Sequence, residues 1–422
     1  MLKTFRSVLL LGLCLVVVLA GCGGNAAVNE KVTITVWDYY TDPNATPVKP
    51  AVAAFELANP NITVDYQIMD WQTTLDKLNV ALSGGTPPDV VTVDMTWMPH
   101  FAALGAFSAL DQFMPDGKLN GLPLDQNYTK GSLEAMKYNN KIMTMMYDFD
   151  VYALYYRADL LQQKGIAVPK TWDDLTAALQ KLGEGDKYKY EVDPDTFHVS
   201  QFIYENGGTL LSADNKSVAF NTPQALQAYQ FYTDLVTKSE GGIPWTTDQG
   251  EAMQGIKDGR IAMFSNGPYF MGLLKSGAPE MAGKWAVAPH PYSKTPSSYL
   301  GGTGLVIPAT SKHQQAAWKF IQFLLTPENA IGVYKYAGAA PALIQALNSP
   351  DVDKADPYFG GEKTLEVFRD AMKTAHPFPY VRQWTDIDGF ITNSLQEILL
   401  NKSTVQAAVD AAAVSTKDAL SK

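Results

Sequence analysis

Cysteine is nearly absent from this chain of 422 residues, which contains only Cys14 and Cys22. Cys14 lies inside an apolar N-terminal run that we expect to be removed, so at most one thiol remains. A disulfide framework is therefore excluded. A body of this size must be stabilised by ordinary hydrophobic cores, and two cores are the most economical arrangement.

Long hydrophobic runs are scarce as well. One apolar run, at residues 8–20, follows Lys3 and Arg6, and it is too short for a comfortable membrane span. A short apolar run behind a positive N-terminus is typical of an export signal. We therefore predict a signal peptide over residues 1–21.

The signal ends in Leu19-Ala20-Gly21-Cys22, which is similar to the bacterial lipobox, where the cysteine receives a diacylglyceryl group. The similarity implies that Cys22 is lipidated, that residues 22–30 are a flexible tether, and that the protein is anchored on the outer face of the bacterial cell membrane. The alternative is a plain signal peptide with an incidental cysteine.

Basic side chains are outnumbered by acidic ones, with 33 Lys and Arg against 43 Asp and Glu and a net charge of −10 at pH 7. This balance argues against nucleic acid as a partner. Aromatic residues are plentiful, at 21 Tyr, 18 Phe and 8 Trp. They exclude a disordered chain and leave flat apolar faces available to a ligand.

Histidine is rare, and its five positions show no pair at a spacing that binds a metal: His100, His198, His290, His313 and His376. Residues 351–356 (Asp-Val-Asp-Lys-Ala-Asp) are faintly similar to a calcium loop but lack its central glycine and distal glutamate. We predict neither a metal site nor a cofactor.

Strand and helix patterns alternate along the first part of the chain. Residues 31–37 alternate polar and apolar side chains, a helical pattern follows Pro47, and residues 62–68 return to a strand. A helix at 75–82 then precedes residues 88–94, a continuous apolar run typical of a strand buried on both faces. This order predicts an α/β fold with a mainly parallel sheet.

Three helix starts have explicit signals. Thr171 and Asp174 have the spacing of a capping box, and the pairs Thr222-Pro223 and Thr326-Pro327 each combine an N-capping hydroxyl with a proline in the first turn. Trp172 belongs to the first of these helices and Trp318 lies on a helical stripe with Ile321 and Leu325. We expect both tryptophans to be core residues.

Several segments together resemble the family 1 extracellular solute-binding proteins, the sugar-binding receptors of ABC importers (maltose-, trehalose- and oligosaccharide-binding type). The segments are 84–91 (Gly-Gly-Thr-Pro-Pro-Asp-Val-Val), 155–166, 169–175, 259–269, 301–308 and 318–324. The segment at 259–269 ends in Asn-Gly-Pro-Tyr, where many members have tryptophan in place of Tyr269.

The resemblance implies a two-lobed periplasmic-binding-protein-like fold (type II), with a doubly wound, mainly parallel sheet and helices on both faces in each lobe. We expect one lobe at 31–145 and 300–340, the other at 146–299 and 341–422, and closure about the ligand. It further implies a monomeric binding protein, not an enzyme, that delivers its ligand to permease subunits served by a cytoplasmic ATPase.

A sugar has apolar C–H faces and a rim of hydroxyls, so its site needs aromatic planes together with polar acceptors. Open α/β sheets bind ligands beyond the carboxyl ends of their strands, and that rule selects the candidates of the first lobe. In the first lobe they are Trp37, Tyr39, Tyr40, Asp94 and Trp97. Elsewhere they are Asp148, Asp150, Trp245, Asp248, Asn266, Tyr269, Gly302, Thr303, Arg382 and Trp384.

Other functions compete with this interpretation. Asp148 and Asp150, at i and i+2, are the nearest approach to a catalytic pair of a surface glycoside hydrolase, although such a pair serves equally to bind ligand hydroxyls. Within the binding proteins, a polyol, an acidic sugar or a sugar phosphate are alternatives. An anion requires several cations in the cleft, and Arg382 is the one cation among the candidates, so we favour a neutral mono- to oligosaccharide.

Overall fold

The structure is a computed structural model that describes residues 31–39, 48–183, 185, 187–244 and 249–422. The signal, the tether and Cys22 lie outside the described residues, and so do three candidate ligand contacts: Tyr40, Trp245 and Asp248. Among the described residues, we find no helix whose length and apolar character would let it cross a bilayer.

Strands and helices alternate over most of the described chain. The strands are β1 (Val32–Asp38), β2 (Ile62–Ile68), β3 (Val90–Asp94), β4 (Lys118–Leu119), β5 (Leu122–Pro123), β6 (Lys137–Tyr138), β7 (Lys141–Ile142), β8 (Met145–Asp150), β9 (Ala153–Arg157), β10 (Lys189–Val192), β11 (Gly242–Pro244), β12 (Ile261–Asn266), β13 (Trp285–Ala288), β14 (Ser298–Val306), β15 (Ala340–Pro341) and β16 (Ala375–Pro377).

The helices begin and end as follows: α1 (Val48–Ala58), α2 (Trp71–Gly84), α3 (Met98–Ala103), α4 (Leu124–Asn127), α5 (Lys130–Ala135), α6 (Ala158–Lys164), α7 (Trp172–Leu182), α8 (Thr196–Glu205), α9 (Pro223–Thr237), α10 (Gln249–Asp258), α11 (Phe270–Gly277), α12 (Gln314–Leu324), α13 (Pro327–Ala337), α14 (Ile344–Leu347), α15 (Thr364–Ala371), α16 (Trp384–Leu399) and α17 (Val405–Leu420).

The first sheet has the order β15-β8-β14-β3-β1-β2, with β16 paired to β14. The strands at the β2 edge are parallel, because β1 runs parallel to both β2 and β3, whereas β14 in the middle is antiparallel to β3 and β8. In β1 the buried side chains alternate with less buried ones, as the sequence predicts. β3 is buried along Val90–Val93, which confirms the buried strand predicted from its apolar run.

The second sheet has the order β11-β10-β12-β9-β13. β10 runs parallel to β11 and β12, and β9 is antiparallel to β12 and β13. The two main sheets and the helices that alternate with their strands form two α/β lobes, which confirms the predicted two-lobed fold. The helices α16 and α17 pack on α9, so the C-terminal part of the chain belongs with the second sheet.

Within the described residues, three passages between the two sheets precede β16, which pairs with β14. The chain leaves the first sheet after β8 and enters the second at β9, with two residues between these strands. It returns to the first sheet between β13 and β14. The third passage lies between α14, which packs on β15, and α15, which packs on β9 and β13. The first sheet thus extends to Asp150 and Pro341, past the ends at 145 and 340 that the sequence suggests, because β8 and β15 pair with each other there.

Local capping agrees with the sequence at two of the three predicted helix starts. Thr171 and Asp174 form both bonds of a capping box, and Thr326 Oγ1 accepts from the backbone N–H of Asn329. The helix α9 does begin at Pro223, but the hydroxyl of Thr222 donates to the carbonyl of Ala219 instead of capping. The predicted capping role of Thr222 is therefore wrong, since its hydroxyl already has a partner in the preceding turn.

The buried side chains do not divide into one core per lobe. The largest cluster of buried residues runs from Ile34 in β1 across to Phe264 and Trp285 of the second sheet, and a separate cluster fills the far side of the second lobe. Trp318 is buried in the first and Trp172 in the second, as predicted. The two lobes consequently share part of their packing in this conformation.

Candidate functional site

A cavity of about 650 Å³ lies between the two lobes and is lined by residues of both sheets and of the helices that follow their strands. This volume falls in the range that holds small organic ligands. Seven of the sequence-predicted residues line it: Tyr39, Asp94, Asp148, Asp150, Tyr269, Gly302 and Thr303. Asp94 and Asp150 end their strands and Tyr39 directly follows one, whereas Gly302 and Thr303 lie within β14.

The first wall begins at the carboxyl ends of β1 and β3. Tyr39 directly follows β1, and its hydroxyl lies 2.8 Å from Thr303 Oγ1. Asp94 ends β3, where its Oδ1 accepts hydrogen bonds from the backbone N–H and the hydroxyl of Thr96. These bonds fix the orientation of both side chains before any ligand arrives.

Trp71 is a cavity residue that sequence reasoning missed. It opens α2 behind the N-cap Asp70, its indole N–H donates to Asp94 Oδ2 over 3.2 Å, and its ring lies 4.7 Å from that of Trp97. An acid and an aromatic directly after the strand β2 are the signal that selected Trp37 and Asp94 elsewhere. Applied to β2, the same signal would have found Trp71.

The floor of the cavity is formed by β8 and β14. The two strands are antiparallel, with Thr303 opposite Asp148 and Gly301 opposite Asp150. The backbone N–H of Thr303 donates to Asp148 Oδ1 over 3.1 Å. Gly302 has a φ of 139°, and a Cβ there would lie 2.3 Å from the carbonyl oxygen of Asp148, so only glycine permits this approach of the two strands.

The second wall carries the turn after β10, which supplies Asp193 and Asp195, and the start of α8 with Phe197. Tyr152, at the passage from β8 to β9, packs edge-on against Tyr299 with ring centroids 4.6 Å apart. Sequence reasoning missed this group because the short strand β10 was not recognised. An acid pair directly after the strand, Asp-Pro-Asp at 193–195, is the signal that would have found it once the strand was recognised.

One face of α16 completes the cavity on the second lobe. Asp388, Thr392 and Gln396 follow each other at intervals of four residues and therefore share that face. Opposite lie Tyr269 and Leu273, at the start of α11.

Five predicted contacts have other surroundings. Trp37 and Trp97 pack in a cluster behind Tyr39, and Trp384 is 2% exposed in the core of the second lobe. The amide oxygen of Asn266 accepts from the backbone N–H of Gly267, and Arg382 is exposed beside His100, outside the cavity. Trp384 is the first residue of α16. The apolar stripe of this helix faces inward, which explains why the aromatic ring is buried.

Burial is the main influence on the pKa values of four of the cavity aspartates. It raises the pKa of Asp150 to about 7, although the hydroxyl of Tyr299 donates to this carboxylate over 2.6 Å and lowers the pKa. Burial raises the pKa of Asp148 well above its ordinary value, and the neighbouring Asp150 adds to the effect. Burial also raises the pKa of Asp94, and that of Asp388 to about 6.

His198 lies behind the second wall and is paired with its acids. Its Nδ1 lies 2.8 Å from Asp195 Oδ1 and its Nε2 lies 3.0 Å from the carbonyl of Ser265. Burial lowers the pKa of His198, but Asp195, Asp193 and Glu191 outweigh burial and raise the pKa to about 10. The imidazolium therefore donates from both nitrogens at neutral pH.

Asp193, Asp195 and His198 also lie close enough together to be considered as metal ligands, with one ligand atom of each within 4.8 Å of the others. Both nitrogens of His198 already have hydrogen-bond partners, so the group is accounted for as an ion pair.

The fold and the cavity define a two-lobed binding protein whose ligand site lies between the lobes. Strands of both sheets end at the site, and the chain passes from one lobe to the other beside it, between β8 and β9. Such an arrangement binds by closure about a ligand.

The chain belongs to the family of bacterial extracellular solute-binding proteins, whose model matches residues 37–331. This confirms the family predicted from the sequence segments, and it confirms that the chain is a binding protein and not an enzyme. The family also identifies an extracytoplasmic role.

Individual relatives cover nearly the whole chain. A binding protein of Brucella abortus (strain 2308) is 25% identical over 433 residues that include 100% of both chains. The lactose-binding protein of Rhizobium radiobacter is 24% identical over 368 residues, 82% of each chain. Among solved structures, an ABC transporter solute-binding protein from Thermotoga lettingae TMO bound with α-D-tagatose has a TM-score of 0.81 and 26% identity, covering 92% of this chain and 99% of that one.

Proposed function

We propose that this protein is the lipid-anchored substrate-binding subunit of an ABC importer and that it captures a sugar of one to a few rings in the cavity between its lobes. The observation that carries the proposal is the lining of that cavity. Aromatic side chains and hydrogen-bonding acids contribute to it from both lobes, for example Tyr39 and Asp148 from one and Phe197 and Asp388 from the other. Aromatic planes and acceptors are what the faces and hydroxyls of a sugar require.

The relatives support a sugar as the ligand class. The Rhizobium radiobacter relative is named for lactose, and the Thermotoga lettingae structure holds α-D-tagatose. A sugar phosphate or an acidic sugar fits poorly, because the described lining residues include no lysine or arginine. The ligand-contact roles of the seven cavity residues predicted from the sequence are part of this proposal.

The anchor rests on the sequence alone. Leu19-Ala20-Gly21-Cys22 after an apolar run supports cleavage before Cys22 and attachment of a lipid to its thiol. We propose that the mature protein is a monomer held at the outer face of the membrane. Metabolic labelling with a palmitate analogue tests this: we expect label in the wild type and none in Cys22→Ser, and label in the variant would contradict it.

The ligand is tested by a thermal-shift screen of the mature protein against neutral sugars, polyols, sugar phosphates, uronates and amino sugars, with chromatography of each hit after incubation. A ligand at 100 times its dissociation constant adds about 2.7 kcal/mol to the free energy of unfolding. We expect a stabilising sugar that is recovered intact. Cleavage of the hit, or stabilisation by polyols or sugar phosphates and by no sugar, would overturn the proposal.

A further inference from the structure

The cavity between the lobes has a one-sided charge. The described residues that line it include six aspartates and no lysine, arginine or histidine: Asp94, Asp148, Asp150, Asp193, Asp195 and Asp388. The neighbouring segments outside the described residues, 40–47 and 245–248, contain no basic residue in their sequences, whatever positions they adopt. A compensating side chain therefore cannot come from them.

Some of these carboxylates find their hydrogen-bond donors or a compensating charge within the protein. Asp94 accepts hydrogen bonds at both oxygens, and the imidazolium of His198 balances Asp195. Asp148, Asp150 and Asp388 differ, because within the described part of the chain each has one buried oxygen without a hydrogen-bond partner: Asp148 Oδ2, Asp150 Oδ1 and Asp388 Oδ1. Asp148 is only 4% exposed.

A buried carboxylate oxygen without a partner is costly. A neutral sugar can donate hydroxyl protons to it but leaves its charge uncompensated. Burial raises the pKa values of both Asp148 and Asp150, which means that their charged forms are disfavoured in the cavity as it stands and would be favoured by a neighbouring cation. A cation placed against these oxygens would remove the cost.

The aromatic lining fits a cation as well. Trp71 and Tyr39 lie on the first wall, and Tyr152 and Tyr299 lie beside Asp150. Faces of such rings attract an ammonium group, most strongly where water is excluded. Acids and aromatic faces without any basic residue are the combination that recognises a protonated amine.

We propose that the sugar held in this cleft carries a free, protonated amino group, and that Asp148 and Asp150 accept its hydrogen bonds while Asp388 contributes charge from the opposite wall. The proposal rests on the proposed function, whose ligand it narrows to amino sugars. It departs from the neutral sugar that the sequence favours, because the sequence does not reveal which acids share one cavity.

The test is isothermal titration calorimetry of the mature protein at pH 7.5 with matched sets of probes. Each set contains an amino sugar, its N-acetyl form and its hydroxyl counterpart, for example glucosamine, N-acetylglucosamine and glucose, with the same series for galactose, mannose and short chitosan oligomers. We expect one amino form to bind at least tenfold more tightly than both counterparts, and its affinity to fall as salt rises from 50 to 500 mM.

The variants Asp148→Asn and Asp150→Asn keep the shape of the side chain but remove the charge, and in Asp148→Asn the amide oxygen can still accept from the backbone N–H of Thr303. We expect each to reduce the preference for the amino form at least tenfold, while Asp410→Asn on the exposed face of α17 leaves it unchanged. Melting temperatures check that the variants are folded. If a variant does not fold, the salt dependence and the probe series on the wild type still show whether the amino form is preferred.

Tighter or equal binding of the N-acetyl or hydroxyl form would overturn this inference and leave the proposed function standing. The same holds if a neutral sugar binds only with Ca²⁺ or Mg²⁺ and EDTA abolishes the binding, since a metal would then supply the charge. Binding of a linear polyamine such as spermidine, with no sugar bound in any form, would overturn both.

Discussion

The hydroxyl of Tyr299 donates a hydrogen bond of 2.6 Å to Asp150 Oδ2 and so joins β14 to the last residue of β8. The other oxygen of Asp150 sits against Gly267, where an added Cβ would lie 1.7 Å from it. Asp150 is thus held from both sides, by a donor in the first sheet and by backbone of the second lobe.

The first prediction concerns the removal of the Tyr299 hydroxyl. In Tyr299→Phe the pKa of Asp150 should rise above about 7, because a hydrogen bond to the charged form lowers the pKa. We expect ligand affinity at pH 7.5 to fall about 3- to 10-fold and the free energy of unfolding to fall by about 1 kcal/mol. Calorimetry across pH 5.5–8.5 measures the first effect. Tyr292→Phe, at a half-buried tyrosine outside the cavity, is the control.

Two tryptophans should separate binding from stability. Trp71→Ala removes a half-buried ring from the cavity wall, so we expect the dissociation constant to rise about 10- to 100-fold with little change in melting temperature. Trp384→Ala removes a core side chain and should cost about 3–5 kcal/mol of unfolding free energy. Calorimetry measures the affinity and chemical denaturation measures the stability. If Trp71→Ala loses stability and Trp384→Ala loses only affinity, the roles are reversed.

His198 should make stability depend on pH in the alkaline range. Its pKa is about 10 in the folded protein and about 6.5 when unfolded, so its contribution is complete below pH 6.5 and is lost as the pH rises to 10. The raised pKa values of Asp150 and Asp193 are about 7, so their titrations are largely over above pH 7.5.

The measurement is urea denaturation between pH 7.5 and 10, for the wild type and for His198→Gln. We expect the wild type to lose about 3 kcal/mol over this range and the variant, already destabilised, to change much less. Parallel curves for the two proteins would contradict the charged state of His198. His313→Gln, at a half-buried histidine far along the chain, controls for general effects of pH.

Backbone contact between α11 and the end of α13 should be essential to the described arrangement of the lobes. Gly338 has a φ of 73°, and a Cβ there would lie 2.5 Å from the backbone nitrogen of Gly272. Gly85 has nearly the same φ of 72° but open space around it. We expect Gly85→Ala to cost about 1 kcal/mol from conformation alone and Gly338→Ala to cost more and to weaken ligand binding. Equal losses in denaturation would refute the contact.

Local signals in the sequence account for most of the fold. The strand at 62–68 is predicted with its observed bounds, and the capping box of Thr171 is confirmed with both of its bonds. Periodicity and caps are properties of neighbouring residues, so they can be read without the tertiary structure. The family segments then supply the two-lobed arrangement.

The site is predicted less completely, for physical reasons. The rule of strand ends found Tyr39 and Asp94, but it needs the strand to be recognised first, and the four-residue β10 before Asp193 was not. Trp97 and Trp384 meet the same compositional criterion as Trp71, and only their burial distinguishes them. Burial depends on distant packing partners, which spacing along one chain does not encode.

The position of β8 has a consequence for how ligand choice can change. Asp150 is the last residue of the strand and stands three residues before β9, so the same short stretch both lines the cavity and connects the two lobes. A substitution there would alter selectivity and the amplitude of closure together. The face of α16 with Asp388, Thr392 and Gln396 also lines the cavity, but it belongs to a helix of the second lobe that is remote in sequence from β8 and β9. Ligand choice therefore has a second route for diversification along that helix, where substitutions change the lining of the cavity and leave the residues between β8 and β9 as they are.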